Sequence, residues 1–433
     1  MGTYSELLYE NERCFLVEKP LQVSFRTKDR YGSEGFIPWF LRRYSPGTSE
    51  QECLTQKVEN REFLLIPKGT AAETLNRLEI EIQGATTIRI SHPWIEEPVL
   101  VPKLVERRHS HCPQWLDEQE TNAYRCDALL EKSFPQWNGT CLGDAILFQS
   151  VRPPSEKERS QLEGLGRKLG FGSGYWKCHE RGIQGKAKTD LSPELLWGEA
   201  GARQGIIEET GVKYSVDFDE GYSFGLFLDQ RENRHRLRNN LIDSGLPAFA
   251  ETVLGTPQVL NTFAYTCGFS LCAALAGAKV VSVDLSRKYL GWGERNFSLN
   301  GLDPSAHEFL YGDVFGWIKR FRRRDRRFDL IVLDPPTFSR SKEWGVFRVS
   351  QDLEKLVEMV VPLLNPNGRL LISSNAATWS PHSFVDSVTS AVRRTGRRVG
   401  AQVFATQPWD FGIVSGEQAY LKTLWIEVLD LKR

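Results

Sequence analysis

The chain has 433 residues, 40% of them hydrophobic and 11% aromatic, so it can bury about two or three domain cores and is excluded from the disordered class. Its formal net charge of zero gives no general attraction to polyanions, and its eight cysteines form no C-x-x-C pair, which argues against zinc ribbons and disulfide frameworks. No apolar run approaches the roughly 20 residues that span a bilayer, and the first residues lack a signal-peptide pattern, so we expect a cytoplasmic protein without membrane contact.

Three parts follow one another along the chain. Residues 1–115 form a mixed α+β segment with strand-like pieces at 14–17 and 63–66. Residues 116–205 form a β-rich central part, in which a helix at 155–169 ends before Gly170. In residues 206–433 a hairpin of 214–218 with 223–228 is expected first. Strands and helices then alternate, which is typical of a doubly wound α/β sheet, and two late strands at 401–405 and 419–428 complete it.

The most informative segment is the apolar run that begins at Asp329 and ends in Asp-Pro-Pro-Thr-Phe at 334–338. The run suits a strand that is buried on both faces of a parallel sheet, and ligands of such sheets lie outside the carboxyl ends of the strands. The two prolines fix φ and remove two backbone donors, so the loop is a stiff wall. Because such a wall suits a planar nitrogenous group held beside a reactive cofactor, Asp334, Pro335 and Phe338 are the candidate catalytic residues.

Three further strand ends predict a cofactor site. The turn after the first strand of the regular part contains only Gly268, whereas a dinucleotide site needs G-x-G-x-x-G, so a cofactor without phosphates, such as S-adenosylmethionine, is favoured. Asp284 ends the second strand and could accept ribose hydroxyls, or cap the helix that starts near Ser286. Asp313 follows the third strand and could accept the adenine amino group, or cap the next helix. Asp284, Asp313 and Asp334 would converge at one edge of the sheet.

The fifth strand ends in Ser-Ser-Asn at 373–375, without a cysteine. Methylation of a pyrimidine carbon generally needs a thiolate that first attacks the ring, and Cys267 and Cys272 are expected to be small core residues. The site therefore favours a substrate that is already nucleophilic, such as a ring or exocyclic nitrogen. No metal is predicted, because the spacing of the candidate ligands matches no standard site; these candidates are His109, His111, Cys112 and Cys126.

Positive charge is concentrated in three arginine-rich clusters, at 231–238, 319–327 and 393–398. One such cluster is usually a solvated helix face. Three clusters in one half of a neutral protein indicate a partner with a phosphate backbone.

The C-terminal half resembles the class I S-adenosylmethionine-dependent methyltransferases that act on large-subunit ribosomal RNA. The resemblance runs from about residue 120 to the end and rests on 225–234, 261–268, 283–290, 294–296 with 299–302, 334–339 and Lys342. One branch of this family methylates cytosine C5 and has Cys-Ser-Cys at the fifth strand, from which Ser373, Ser374 and Asn375 depart. The motifs at 335–339 and 284–289 look like the other branch, which methylates guanine N7.

The resemblance implies an enzyme that methylates RNA, with roles for particular residues. Asp284 would hold the ribose and Asp313 the adenine, while Asp334 and Phe338 would face the methyl group and the base. The full predicted cofactor-binding set is Phe227, Asp229, Gln230, Arg231, Phe263, Tyr265, Gly268, Asp284, Leu285, Asp313 and Asp334.

Residues 8–20 are faintly similar to the opening of RNA pseudouridine synthases, with Lys57 near the place of the missing catalytic aspartate, so the first segment could dock RNA. Three alternatives stay open: cytosine-C5 methylation with a displaced cysteine, a nicotinamide oxidoreductase, and a non-catalytic RNA-binding protein. The sequence leaves the oligomeric state open, a homodimer included.

Overall fold

The computed structural model describes seven strands before residue 103 and then residues 121–430, with gaps of which 179–192 and 412–418 are the longest. The predicted strands near residues 14 and 63 are confirmed. Four of the early strands form an antiparallel sheet of order β1-β2-β4-β3, and three form another, β5-β6-β7. Their bounds are β1 Glu6–Glu10, β2 Cys14–Lys19, β3 Leu54–Val58, β4 Arg61–Pro67, β5 Glu79–Gln83, β6 Thr87–Ser91 and β7 Val99–Pro102.

A five-stranded sheet forms the central part, in the order β12-β11-β10-β9-β8. Its elements are β8 Ala123–Arg125, β9 Asn138–Leu142, β10 Ala145–Ser150, α1 Glu156–Lys168, β11 Ser173–Cys178 and β12 Glu194–Trp197. Strands β10 and β11 are parallel and α1 connects them. The helix starts where it does because Ser155 and Glu158 form a capping box, and Gly170 follows it with φ 90°, as predicted.

The two faces of this sheet have different partners. Ile146 and Phe148 pack with Leu162 of α1 in one apolar cluster. Leu147 and Tyr175 point the other way and belong to the core of the C-terminal part. The central sheet therefore lies between its own helix and the larger sheet described below.

The hairpin prediction was wrong in its partner strand. Strand β14 (Val212–Asp217) pairs along its length with the preceding β13 (Gln204–Glu209). The described residues of 223–228 form no strand, although the Asp217 amide donates to the Phe224 carbonyl at 3.0 Å. The two-residue turn consists of Thr210 and Gly211, whose φ angles are 52° and 73°. Two successive positive φ angles give the turn the twist that antiparallel strands need, so this turn determines the pairing.

Seven strands form the sheet of the C-terminal part, in the order β17-β16-β15-β18-β21-β23-β22. The strands, with the hairpin β19–β20, are β15 Gln258–Thr262, β16 Lys279–Asp284, β17 Glu308–Tyr311, β18 Phe328–Leu333, β19 Phe338–Ser341, β20 Gly345–Arg348, β21 Leu364–Ser374, β22 Arg398–Ala405 and β23 Lys422–Leu429. The helices are α2 Arg231–Arg238, α3 Gly268–Leu275, α4 Arg287–Leu299, α5 Val314–Arg323, α6 Val349–Val360 and α7 Pro381–Arg394.

The predicted doubly wound sheet with a late antiparallel pair is confirmed, since β23 runs antiparallel to both β21 and β22. Strand β18 shows why an unbroken apolar run predicts it: Ile331 and Leu333 face one core cluster, and Leu330 and Val332 face the other. None of the described helices is long and apolar enough to cross a bilayer. The division into domains at 116–205 and 206–433 stays a prediction.

The strands are in register at their carboxyl ends. Thr262, the last residue of β15, is opposite Val283 of β16 and Leu333 of β18. Asp284 is opposite Tyr311 of β17. The loops that follow these four strands therefore meet at one edge of the sheet, which we call the carboxyl edge.

Candidate active site

The loop after β15 has an unusual backbone. Phe263, Tyr265 and Cys267 all have positive φ, at 53°, 50° and 64°, although none is glycine. Non-glycine residues in this region cost free energy and occur mainly where function requires a special geometry. The carboxylate of Asp284 accepts a hydrogen bond from the Tyr265 amide at 2.9 Å, which holds the loop in this shape.

Asp284 is a half-buried acceptor rather than a helix cap. Its Oδ1 accepts from the Ser286 amide at 2.8 Å, while the Ser286 hydroxyl itself caps α4 by accepting from the Tyr289 amide at 3.2 Å. Burial raises the pKa of Asp284 above its usual value. Ser286, and not Asp284, therefore caps α4. The ribose-binding role of Asp284 stays a prediction.

Aromatic rings form a wall beside this loop. The ring of Tyr265 lies 4.5 Å from that of Tyr289 and 5.2 Å from that of Phe227, which is 41% exposed. Leu285, beside Asp284, is 45% exposed and adds apolar surface. Phe263 points elsewhere, with its ring 6.1 Å from that of Phe347 in the core. The wall offers planar apolar contacts at the carboxyl edge.

Gly268 begins α3 where helices pack closely. A Cβ at this position would lie 3.2 Å from Leu226 Cδ1 and 3.3 Å from Arg234 Cδ. This close packing explains why a residue without a side chain is needed at position 268. The close approach of Gly268 to a cofactor stays a prediction.

Asp313 caps α5. Its Oδ1 accepts from the amides of Phe315 at 2.8 Å and Gly316 at 3.2 Å, and the residue is buried. Within the described residues no donor is in reach of Oδ2. Capping is therefore one role of Asp313, and adenine recognition through Oδ2 stays a prediction.

Asp334 emerges from β18 at the centre of the carboxyl edge. Its Oδ1 accepts hydrogen bonds from the Ser373 hydroxyl at 2.5 Å and from Gln230 Nε2 at 3.3 Å. Gln230 is in turn oriented by Asn233, whose Nδ2 donates to its Oε1 at 2.8 Å. Burial raises the pKa of Asp334.

The rest of the Asp334 loop faces outward. Pro335 is buried, whereas the ring of Phe338 is 43% exposed, with the Arg348 guanidinium 5.7 Å from its centroid. The loop thus presents a carboxylate and an open aromatic face side by side. Ser373 was noted in the sequence only for what it replaces, and its bond to Asp334 required the fold.

A second carboxylate stands close to the first. Asp229 accepts a hydrogen bond from the Tyr420 hydroxyl at 3.1 Å. Burial, and then the charge of Asp334, raise the pKa of Asp229 to about 6. Two buried carboxylates that are close together repel each other when both are ionised, so a ligand that brings positive charge is favoured there. Sequence analysis missed Tyr420, because it lies 191 residues from Asp229 and in no motif.

Arg231 is held inside the protein by other groups of the chain, and its predicted place beside the cofactor stays a prediction. Its side chain is fully buried and its guanidinium forms an ion pair with Asp410 and donates to the Ala123 carbonyl at 3.5 Å. The Arg125 amide donates to the same Asp410 carboxylate at 2.9 Å. Arg231 therefore connects the two sheets.

Only part of the cluster at 231–238 is accessible to a phosphate group, because Arg231 and Arg234 are buried. Arg234 is buried and donates two hydrogen bonds to Glu209, at 2.6 and 2.7 Å. Charge along a sequence does not show which face of a helix is buried, and α2 buries two of its arginines.

The other two clusters lie together, away from the carboxyl edge. Helix α5 starts at that edge and runs back, so its basic end lies at the opposite, amino edge. Arg327 donates to the Pro362 carbonyl, just before β21, and Arg397 donates to the carbonyl of Asn365, the second residue of β21, at 3.1 Å. We call this surface the basic edge. Its exposed cations for which the described residues show no ion pair are Lys319, Arg320, Arg322, Arg323, Arg324, Arg393 and Arg398.

A family model described as S-adenosylmethionine-dependent methyltransferase matches residues 124–395. The chain belongs to this family. Among curated proteins it is 35% identical over 237 residues to Bacillus subtilis (strain 168) YwbD, assigned by name to the ribosomal RNA large subunit methyltransferases, over 54% of this chain and 57% of that one. It is 33% identical to ribosomal RNA large subunit methyltransferase K of Neisseria meningitidis serogroup B (strain MC58), over 75% of this chain and 88% of that one.

A solved structure supports the same family assignment. The protein SMU.776, described as a methyltransferase complexed with SAH, is 29% identical with a TM-score of 0.58, over 72% of this chain and 76% of that one. The chain spans less than two thirds of several curated relatives it matches.

Family membership places the chain among the S-adenosylmethionine-dependent methyltransferases, which contradicts the nicotinamide alternative. The residues at the carboxyl edge fit the cofactor. Asp284 offers oxygens for ribose hydroxyls, and Tyr265 and Phe227 offer apolar faces. Asp229 and Asp334, with their raised pKa values, suit the positive sulfur and amino groups.

Proposed function

We propose that the protein methylates a nucleobase nitrogen of RNA, guanine N7 in large-subunit ribosomal RNA. The names of its relatives support the substrate class. The chemistry of the carboxyl edge supports the choice of atom.

One observation supports a base nitrogen, and not a pyrimidine carbon, as the methylated atom. The residue at the end of β21 that contacts Asp334 is Ser373, a hydroxyl donor and not a thiolate. Cys267 and Cys272 are buried core residues, as expected from the sequence, and burial raises the pKa of both thiols. A buried thiol with a raised pKa is a poor nucleophile. A base nitrogen needs no such attack, because its own lone pair forms the new bond.

The protein's part in this chemistry is alignment and exclusion of water. When bound, S-adenosylmethionine supplies a methyl group that its positive sulfur activates. Asp284 and the aromatic wall would hold the nucleoside end. Asp334, fixed by Ser373 and Gln230, would accept a hydrogen bond from the base through Oδ2, for which the described residues show no donor. Phe338 would stack on the base.

We also propose that residues 1–115 dock RNA, and that 116–205 and 206–433 are separate domains. The two small sheets of the first part support a folded module there.

The test is to map methylated nucleotides in ribosomal RNA treated with the purified protein and S-adenosylmethionine. We expect N7-methylguanosine at one position. Asp334→Asn should lower kcat about 100-fold or more at saturating S-adenosylmethionine, since the loss falls on the aligned complex. Calorimetry should also show a weaker cofactor affinity, because Asp334 is one of the two carboxylates expected to face the positive groups of the cofactor.

Two outcomes would contradict the proposal. Methylation of a pyrimidine carbon would favour the cytosine-C5 alternative, and Cys178→Ser, at a half-buried cysteine, would then be the informative variant. Cofactor binding without methylation of any RNA would favour a non-catalytic RNA-binding protein.

A further inference from the structure

A cavity of about 270 Å³ lies between the central sheet and the segment that leads to Asp229. It is smaller than the roughly 300–1,000 Å³ of sites for drug-sized ligands, so it suits a group of the size of one nucleobase. Neither Asp334 nor Phe338 lines it, so it is distinct from the place where the target base would be held.

The central sheet supplies the polar floor of the cavity. Gln149 of β10 is in register with Lys177 of β11, and Leu147 of β10 is in register with Thr140 of β9. Because side chains alternate along a strand, these four residues lie on one face of the sheet. All four line the cavity.

Aromatic side chains supply the apolar walls. The ring of Phe218 stacks on that of Tyr175, with centroids 4.3 Å apart and planes 12° apart, which fixes one wall. Phe224, Phe227 and Phe411 also line the space, and the Arg125 guanidinium lies 5.5 Å from the Phe411 centroid. Planar apolar surfaces around a polar floor match a base, which has two apolar faces and a polar edge.

The polar groups fit the edge of a base. The Gln149 side chain carries a donor and an acceptor, and the described residues show no hydrogen bond to either. Burial lowers the pKa of Lys177 to about 8, which still leaves the ammonium mostly protonated at pH 7. A donor amide beside a cation favours the carbonyl and ring-nitrogen acceptors of a nucleobase.

The cavity reaches the methyl-transfer site at Asp229. Asp229 lines the cavity, and the charge of Asp334 contributes to its raised pKa. Gln230, the next residue, donates to Asp334. A nucleotide in the cavity would therefore be next to one held against Asp334.

We propose that this cavity binds the nucleobase adjacent to the methylated one, with Gln149 and Lys177 at its polar edge. This inference rests on the proposed function. It gives the central sheet a role in selecting the sequence around the target.

The test pairs protein variants with RNA lesions. A short RNA that contains the target is made with the base removed at the nucleotide before or after it. For the parent protein, one of the two lesions should lower kcat/KM about tenfold or more, the size expected for loss of a stacked base. In Gln149→Leu and Lys177→Met the intact RNA should already react more slowly, and the same lesion should then have little further effect.

Matched controls remove the same groups elsewhere. Lys168→Met, at the exposed end of α1, and Gln402→Leu, on exposed β22, should keep the full effect of the lesion. Affinity for S-adenosylmethionine should equal that of the parent in all four variants.

Three results would overturn the inference. The first is that neither lesion slows the parent. The second is that lesion and variant effects simply multiply, and the third is that Gln149→Leu or Lys177→Met weakens cofactor binding. If the parent methylates intact RNA, the proposed function stands even when the inference fails; if it methylates no RNA, both fail.

Discussion

At the scale of single residues, Asp229 illustrates how a binding site can lower the stability of the protein that carries it. Its usual pKa near 3.8 is raised to about 6 in the folded chain, by burial and by the charge of Asp334. The folded state therefore holds the proton more tightly than the unfolded state. The stability from this group is present below pH 4 and is lost as the pH rises past 6.

Asp229→Asn should stabilise the cofactor-free protein at pH 8, by at most about 3 kcal/mol on the scale of 1.4 kcal/mol per pKa unit, and should have little effect at pH 4. Urea denaturation at the two pH values measures this difference. Asp303→Asn, at an exposed aspartate whose pKa is lowered by Ser305, should not stabilise at pH 8. Equal stability of Asp229→Asn and the parent at pH 8 would show that the charge of Asp229 is well solvated.

The same residue illustrates the limit of sequence analysis at this scale. Asp284, Asp313 and Asp334 could be found because each follows an apolar strand. The hydrogen bonds that define their surroundings come from side chains far along the chain, such as Ser373 and Tyr420. No local pattern identifies such partners.

At the scale of elements, helix α1 offers two glycines in opposite surroundings. A Cβ on Gly166 would lie 2.2 Å from Trp197 Cζ2, whereas a Cβ on Gly164 would meet nothing within 4 Å. The glycine at 166 lets the helix lie against the buried indole, and the one at 164 only adds flexibility.

Gly166→Ala should therefore destabilise the protein by about 1–3 kcal/mol, the usual cost of overpacking. Gly164→Ala should stabilise it by about 0.5–1 kcal/mol, because alanine loses less conformational freedom in a helix. Thermal denaturation followed by circular dichroism measures both. A loss of stability in both variants would mean that the two positions share a constraint other than Trp197.

Element types were more predictable than element partners. The seven strands of the large sheet follow from apolar runs and strand-end signals, whereas the hairpin β19–β20 has no such run at β19 and was not predicted. The pairing of β14 depends on the turn at Thr210 and Gly211, and the alternation of polar and apolar residues does not show which neighbouring segment a strand pairs with. The burial of Arg231 and Arg234 in α2 does not follow from the sequence of the helix, because their partners Asp410 and Glu209 lie outside it.

At the scale of the whole molecule, the Arg231–Asp410 pair holds the central sheet against the larger one. Both side chains are buried, and the pair also contacts backbone atoms of β8, at Ala123 and Arg125. A buried pair of this kind is costly to break on one side only.

Asp410→Ala should lower the free energy of unfolding by about 3–5 kcal/mol, because it leaves the Arg231 charge buried without its partner. The double variant Arg231→Met with Asp410→Leu should lose much less. Denaturant titration of the two variants tests this, and an equal loss in both would indicate that packing, not charge, explains the effect.

The distance between the basic edge and Asp334 limits which RNA can contact both. Strand β18, with six residues, is about 20 Å long, so Arg327, just before its first residue, lies about that far from Asp334, just after its last. An RNA that touches both must span about 20 Å, which is roughly six nucleotides at the 3.4 Å spacing of a duplex strand. The distance between the two places therefore sets a minimum length for a substrate that binds fully. Charge reversal at Arg322 and Arg323 should weaken the binding of longer RNA at moderate salt, measured by titration, and leave oligonucleotides shorter than this unaffected.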